Sequence, residues 1–88
     1  MTALKKYARL ETTGLWRDTP EGQRREVVVR MGDATLILSD PRSDAILSHW
    51  SLPAIRRMNP GKRPALFAPG EAAEEELELV DDTMIAAL

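Results

Sequence analysis

Two short runs rich in β-branched and aliphatic residues restrict the fold of this chain more than any other feature. The first run, EVVVRM, covers 26–31, and the second, ATLILS, covers 34–39. Consecutive valines are stiff at χ1 and fit a pleated surface. Between the runs, Gly32-Asp33 predicts a two-residue turn in which the glycine takes a positive φ. The pattern therefore predicts a β-hairpin over 26–39.

Alternation of apolar and polar residues continues on both sides of this hairpin and predicts further strands. The additional predicted strands cover 4–16, 45–52, 55–58, 64–68 and 74–80. Turn residues separate them, most clearly Asn59-Pro60-Gly61, whose proline and glycine suit a type II turn. In the last strand, leucines alternate with glutamates, which is typical of a strand with one solvated face.

The final eight residues, 81–88, indicate a short helix that starts near residue 82. Asp81 can accept hydrogen bonds from the first free amides of a helix. Met84, Ile85 and Leu88 lie on one helical face. The pattern stops at Leu88 after fewer than two turns, so we expect that the natural polypeptide continues and that residues 1–88 are its N-terminal domain.

A chain of 88 residues has the size of a single domain with one core. A small antiparallel sheet cannot bury its apolar face alone. The predicted fold class is therefore mainly β (β-rich α+β), with about seven short strands and one C-terminal helix. The strands would form two bent antiparallel sheets or a split barrel, with Val27, Val29 and Trp50 in the interior and the helix sealing an open end.

The composition limits the compartment and the chemistry. The sequence contains no cysteine, so disulfides, thiolate metal sites and cysteine nucleophiles are excluded. Residues 1–10 lack the apolar run of a signal peptide, and no segment reaches the ~18 consecutive apolar residues of a membrane span. These features predict a cytoplasmic domain.

Charge is unevenly distributed along the chain. Residues 1–63 hold all 12 basic residues and 7 acids, whereas residues 64–88 hold 7 acids and no basic residue. Such segregation is compatible with an anion-binding patch followed by an acidic tail. The interpretation that we favour is that the two parts fold together and neutralise each other, because several of the acids follow a strand pattern.

The order of about seven strands and a terminal helix, from Tyr7 to Leu88, resembles that of pleckstrin-homology-like domains. The resemblance implies a split barrel and a binding function without catalysis, with anionic lipid headgroups among the ligands. The sequences HWSLPAI and NPGKRPALFAPG are similar to the N-terminal segment of bacterial membrane-anchored proteins of unassigned function. That similarity implies a cytoplasmic domain held at the inner face of the membrane by downstream sequence.

No residue pattern indicates catalysis, a metal or a cofactor. His49 is the only histidine, and on a strand Ser48 points away from it, so no serine–histidine pair forms. The glutamates at 74, 75, 76 and 78 do not match the spacing of a calcium loop, and Glu76 and Glu78 are expected to face solvent. The five scattered glycines form no phosphate-binding loop. We expect a protein that is not an enzyme and binds no cofactor.

Basic side chains and one tryptophan are the candidate binding residues. The basic residues that could form a patch for an anion or an acidic partner are Arg24, Arg25, Arg56, Arg57, Lys62 and Arg63. The alternative is a solvated turn whose cations pair with acids of 71–78. Trp16 is either a core residue, the interpretation that we favour, or an exposed anchor at a binding site. Few aromatic residues and an acidic balance argue against nucleic acid as the ligand.

The sequence thus leads to three hypotheses for function. The first is a non-enzymatic interaction module that contacts a protein partner, the remainder of its own chain or an anionic surface. The second is a structural domain that pairs through a strand edge, with the valine hairpin as the pairing element, or forms a homodimer. The third, which no positive feature supports, is an enzyme that uses two carboxylates.

Overall fold

The computed structural model describes residues 10–71 and 74–88. Their regular structure consists of seven strands, one 3-10 turn and one α-helix. The strands are β1 (Glu11–Arg17), β2 (Arg25–Met31), β3 (Thr35–Ser39), β4 (Ile46–Ser51), β5 (Arg56–Arg57), β6 (Ala65–Ala68) and β7 (Glu76–Leu79). The 3-10 turn covers Leu52–Ala54, and the helix α1 covers Asp82–Ala87. The predicted fold class, mainly β with seven short strands and a C-terminal helix, is confirmed. The part of the first predicted strand at 4–9 lies outside the described residues.

All seven strands belong to one antiparallel sheet that curls into a half-barrel. Their order is β4-β3-β2-β1-β7-β6-β5, so that β4 and β5 are the two edge strands. The chain passes from one edge to the other in only four residues, 52–55, which can span at most about 18 Å between Ser51 and Arg56. This short connection keeps the two edges close together where β4 ends, and the sheet must curl to allow it.

The predicted hairpin is present as β2 and β3, but its turn is displaced by one residue. The Gly32 N–H donates to the Thr35 carbonyl (2.8 Å), so the two-residue loop is Asp33-Ala34. The expected positive φ at Gly32 is wrong, because among the described glycines that conformation occurs at Gly61 (φ 81°). There, the Lys62 N–H donates to the Asn59 carbonyl (3.1 Å), as expected for the predicted type II turn.

The core fills the concave face of the sheet. Its fully buried residues come from five strands and from α1, and they are Val27, Val29, Leu36, Leu38, Trp50, Ala65, Leu77, Leu79 and Met84. Trp16 and Phe67 complete the cluster. The predicted burial of the valines and of Trp50 is therefore confirmed.

Helix α1 closes the core at the end of the half-barrel where β1 begins. The Asp81 carboxylate accepts a hydrogen bond from the Met84 N–H (2.9 Å), which is the predicted N-cap. The Thr12 hydroxyl also donates to Asp81 (3.3 Å) and links the cap to β1. The helix is too short to be stable alone, and the burial of Met84 in the core supports it.

Close packing of β1 on β7 depends on a glycine. A Cβ atom at Gly14 would lie 2.8 Å from Leu79 Cδ2 and 2.9 Å from the Glu78 carbonyl oxygen. Any side chain at this position would push the two strands apart. Gly14 therefore allows the close approach of β1 and β7 at the middle of the sheet.

Candidate functional site

The two edge strands differ in length and in chemistry. β5 has two residues, Arg56 and Arg57. Short strands and charged side chains are common means by which a sheet edge avoids pairing with another chain. β4 has six residues, with the sequence ILSHWS. This strand contains no arginine, lysine, aspartate, glutamate or proline. β4 is therefore the edge with fewer barriers to pairing.

The direction of the β4 backbone groups follows from its pairing with β3. Trp50 lies opposite Leu36 and Ser48 lies opposite Leu38. The Leu52 N–H donates to the Ala34 carbonyl (3.0 Å). Because alternate residues of a strand point their peptide groups the same way, Trp50 and Ser48 also direct theirs towards β3.

The intervening residues of β4 direct their peptide groups to the open side. His49 and Ser51 occupy these positions, and both residues are exposed. Within residues 10–71 and 74–88, no other strand pairs with this side of β4. A bulge near the Leu38/Ser39 step interrupts the ladder at the start of β4, so the regular open edge is the part that contains these two residues.

The side chains beside this edge divide between two environments. His49 and Ser51 lie on the convex face, and Ile46, at the start of the strand, is 58% exposed. Ser48 and Trp50 lie on the concave face. The predicted separation of Ser48 from His49 is confirmed.

One carboxylate joins β4 to the opposite side of the half-barrel. Glu75 Oε1 accepts hydrogen bonds from Trp16 Nε1 (3.0 Å), Ser48 Oγ (2.6 Å) and Trp50 Nε1 (3.1 Å). Ser48 Oγ also accepts from Trp50 Nε1 (3.1 Å). We call these four residues the Glu75 cluster. It satisfies both buried indole N–H groups and fixes the carboxylate beside the concave side of β4.

The Glu75 cluster was not predicted from the sequence, although one signal was present. Glu75 precedes Leu77 and Leu79, the two buried leucines of β7, at a spacing of two residues. Because side chains of a strand alternate between its two faces, this spacing places Glu75 towards the concave face. Its partners lie 25 to 59 residues away in the sequence, and no local pattern identifies such contacts.

Trp16 does not form an exposed anchor. Its side chain is only 8% exposed, and its indole N–H is bonded to Glu75. The prediction of an exposed anchor is wrong because Trp16 lies on the concave face of β1, opposite Leu77 on β7. The alternative, a core position, is confirmed.

Arg24 and Arg25 are not available as a joint anion site. Arg24 bonds to Glu76 (2.5 Å) and lies 3.8 Å from Glu78, both on β7. Arg25 bonds to Asp40 (2.5 Å), after β3. The two arginines therefore extend in opposite directions across the sheet, Arg24 towards β7 and Arg25 towards the end of β3. An open hollow of about 280 Å³ beside Arg25 is lined by carboxylates as well as by arginines, which leaves it no clear preference for anions.

Three of the four basic side chains around the β5–β6 turn, those of Arg56, Arg57 and Arg63, also have partners among the described residues. Arg56 pairs with Glu71 (2.8 Å), and Arg63 pairs with Asp82. Arg57 donates to the Lys62 carbonyl (2.9 Å), and its guanidinium lies 5.9 Å from the centre of the Phe67 ring. Among the described residues, no hydrogen bond or ion pair joins this group to Arg24 or Arg25.

These contacts explain the uneven distribution of charge. Of the seven ion-pair contacts within the described residues, five join a cation of 1–63 to an acid of 64–88. The predicted neutralisation of the two parts is therefore present. The acids of 74–78 form no separate tail.

Two ionisable groups outside the Glu75 cluster have shifted pKa values. The hydrogen bond to Glu76 raises the pKa of Arg24 above its usual range. Backbone N–H groups of Ser43 and Arg42, together with the positive charge of Arg25, lower the pKa of Asp40. Both shifts stabilise the ionised forms that make the ion pairs described above.

Within the described ranges, no group of three or more histidine and carboxylate side chains has the geometry to hold a metal ion. His49 lies on the convex face and belongs to no such group. The same part of the chain has no helix with the length and apolar character needed to cross a membrane.

Comparison with protein-family models, with curated proteins and with solved structures finds no match to this chain. The choice among functions depends on the geometry of the edge strands, of the Glu75 cluster and of the paired arginines.

Proposed function

We propose that this chain is a non-enzymatic protein-interaction module, and that it binds an extended segment of a partner protein along the open edge of β4. The observation that supports this most directly is the contrast between a charged two-residue edge at β5 and an uncharged six-residue edge at β4. The succession of seven strands and a terminal helix supports the resemblance to pleckstrin-homology-like domains. The absence of cysteine from the sequence supports a cytoplasmic location.

Strand addition at β4 has a clear physical basis. The N–H and C=O groups of His49 and Ser51 point to the open side, and an added strand supplies partners for them. Backbone hydrogen bonds provide affinity that depends little on the sequence of the partner, and side chains on the two faces provide selectivity. The valine hairpin, which the sequence suggested as the pairing element, cannot serve this purpose. Its strand β2 lies between β1 and β3, and its strand β3 lies between β2 and β4.

An anionic surface is the less favoured ligand. The arginines at 24, 25, 56 and 63 already contact carboxylates, and a phosphate would have to displace them. Co-sedimentation with anionic vesicles at low salt tests this alternative. Binding that depends on Arg56 and Arg63 would favour the membrane over a protein partner.

Amide hydrogen exchange tests the open edge without a partner. We expect the amides of His49 and Ser51 to exchange faster than those of Ser48 and Trp50, which face β3. Similar protection at all four positions, independent of protein concentration, would contradict the proposal. Protection that increases with protein concentration would show that a second copy occupies the edge, and would replace the partner protein with a homodimer.

A synthetic peptide of alternating threonine and valine provides the binding test. At millimolar concentration we expect it to protect the His49 and Ser51 amides. His49→Pro should abolish this binding, because it removes an outward N–H and leaves the β3 ladder intact. His49→Ala is the matched control, since it removes the imidazole but keeps the N–H. Equal binding to both variants, or none to the parent protein, would overturn the proposal.

A further inference from the structure

Glu75 is a half-buried carboxylate on the concave side, and no cation within residues 10–71 and 74–88 pairs with it. Its three donors, two indoles and one hydroxyl, are all neutral, and all three bond to Oε1. Within residues 10–71 and 74–88, no arginine or lysine nitrogen lies within 4.0 Å of Glu75, and no donor reaches Oε2. Neighbouring Glu76, by contrast, contacts both Arg17 and Arg24.

An ionised carboxylate that has lost part of its water gains most from a cation held at its free oxygen. The Glu75 cluster already fixes Oε1 through three hydrogen bonds, so a second ligand at Oε2 requires little further ordering of the side chain. The position is therefore preorganised for an ammonium or guanidinium group.

The register of β4 indicates where such a cation would come from. Because the peptide groups of Ser48 point towards β3, a residue opposite Ser48 on an added antiparallel strand forms a non-hydrogen-bonded pair. Side chains in such pairs lie close together, with Cβ atoms about 4.5–5.5 Å apart. Ser48 Oγ itself is 2.6 Å from Glu75 Oε1, so a long basic side chain opposite Ser48 lies within reach of the carboxylate.

We propose that the segment that binds β4 carries a lysine or arginine opposite Ser48, and that this residue forms an ion pair with Glu75. This inference rests on the proposed function and specifies the chemistry of the partner. It identifies Glu75 as the residue that selects among segments able to add to the edge. The overall negative charge of the chain favours the approach of the same basic segment.

Three peptides test the inference. Each alternates threonine and valine and differs only at one central position, which holds lysine, norleucine or glutamate. We expect the lysine peptide to bind on the order of tenfold more tightly than the norleucine peptide, and the glutamate peptide to bind most weakly. The preference for lysine should decrease as salt is added, because the contact is an ion pair.

Two protein variants locate the origin of the preference. Glu75→Gln keeps an oxygen that can accept from the indoles but removes the charge, so the lysine and norleucine peptides should bind it equally. Glu74→Gln is the matched control, because it removes the same charge from an exposed neighbour, and the preference should persist. If Glu75→Gln does not fold, the order of the three peptides on the parent protein still decides the matter.

The possible failures are distinguishable. If no peptide protects the His49 and Ser51 amides, the proposed function is wrong. If all three peptides bind the parent protein equally, the edge binds strands but Glu75 does not select them. A lysine preference that survives in Glu75→Gln would likewise overturn the inference and leave the edge proposal standing.

Discussion

The two edges of the sheet are protected to very different degrees. β5 ends the sheet with two arginines, and each has a partner within the chain: Arg56 contacts Glu71 and Arg57 lies over Phe67. β4 ends the sheet with six residues, and its exposed side chains are neutral or weakly basic. A protein that had to avoid edge pairing everywhere would protect both strands. The difference indicates that pairing is prevented at β5 and permitted at β4.

The same two strands also differ in how they are attached to the core. β4 contributes Trp50, which is 1% exposed, and the Glu75 cluster ties it to β1. β5 contributes no residue to the buried core. It is held by its hairpin with β6, in which the Asn59 side chain accepts from the Leu66 N–H and donates to the Pro64 carbonyl. The open edge is thus the firmly attached one, which is what a rigid pairing template requires.

The largest expected effect comes from removing the anchor of each edge. Trp50→Ala should lower the free energy of unfolding by about 3–5 kcal/mol, because it leaves a large cavity and removes an indole from the cluster. Arg57→Ala should cost less than about 1 kcal/mol, as expected for a partly exposed cation. Urea denaturation of both variants measures the difference. Equal losses would show that the two edges are attached with similar strength.

A smaller effect is expected from the carboxylate that secures β4. Glu75→Ala leaves the Trp16 indole N–H without an acceptor, whereas the Trp50 N–H keeps Ser48 Oγ. We expect a loss of about 1–3 kcal/mol. Glu75→Gln retains an acceptor and should lose roughly 1 kcal/mol. Chemical denaturation, with tryptophan fluorescence as the readout of the indole environment, measures both. If Glu75→Ala is as stable as the parent protein, the cluster does not hold the β4 edge.

The strands themselves could be predicted from local pattern, because burial on one face imposes alternation. Val27 and Val29 were placed correctly for this reason. The turn after β2 was misplaced by one residue, since moving the loop from 32–33 to 33–34 shifts the pairing partner by two positions. Such a shift keeps the same side chains on the buried face, so the hydrophobic pattern cannot distinguish the two registers.

The candidate site was less predictable than the fold. Which strand forms an edge depends on strand order, and the alternation of β4 is similar to that of the interior strands. The basic residues looked like a patch because the sequence shows charges but not their partners; Arg24, for example, is paired with Glu76, 52 residues later. Glu75 could have been recognised from its parity with Leu77, but its convergence with Trp16 and Trp50 depends on the curl of the whole sheet.

A further test removes the protection of β5. Replacing both Arg56 and Arg57 with threonine gives a short, uncharged edge, and we expect weak self-association that increases with protein concentration. The matched change at β4, His49→Lys, adds a charge to the open edge and should reduce peptide binding there. Sedimentation velocity measures the first effect and peptide titration the second. A double variant of β5 that stays monomeric at high concentration would show that its short length alone protects this edge.

The smallest expected effect concerns acid, and it also distinguishes the two edges. Asp40 begins the connection from β3 to β4: its carboxylate accepts from the Arg42 and Ser43 amides (2.8 and 3.1 Å) and pairs with Arg25. These contacts lower its pKa below the ordinary value of 3.8. The pKa of Asp40 is lower in the folded protein than in the unfolded chain. The stabilisation from Asp40 is therefore complete when the pH is above the unfolded-state pKa, and it is lost as the pH falls through the folded-state pKa.

Between neutral pH and about pH 4, Asp40 should therefore contribute no change in stability, and below that the β4 connection should weaken. Hydrogen exchange of the β4 amides, compared with those of β6 next to β5, measures this locally. In Asp40→Asn the amide oxygen can still accept from the turn but has no charge to lose, so the additional acid sensitivity of β4 should disappear. If β4 loses protection in acid equally in the parent protein and in this variant, the charge of Asp40 does not control the connection between β3 and β4.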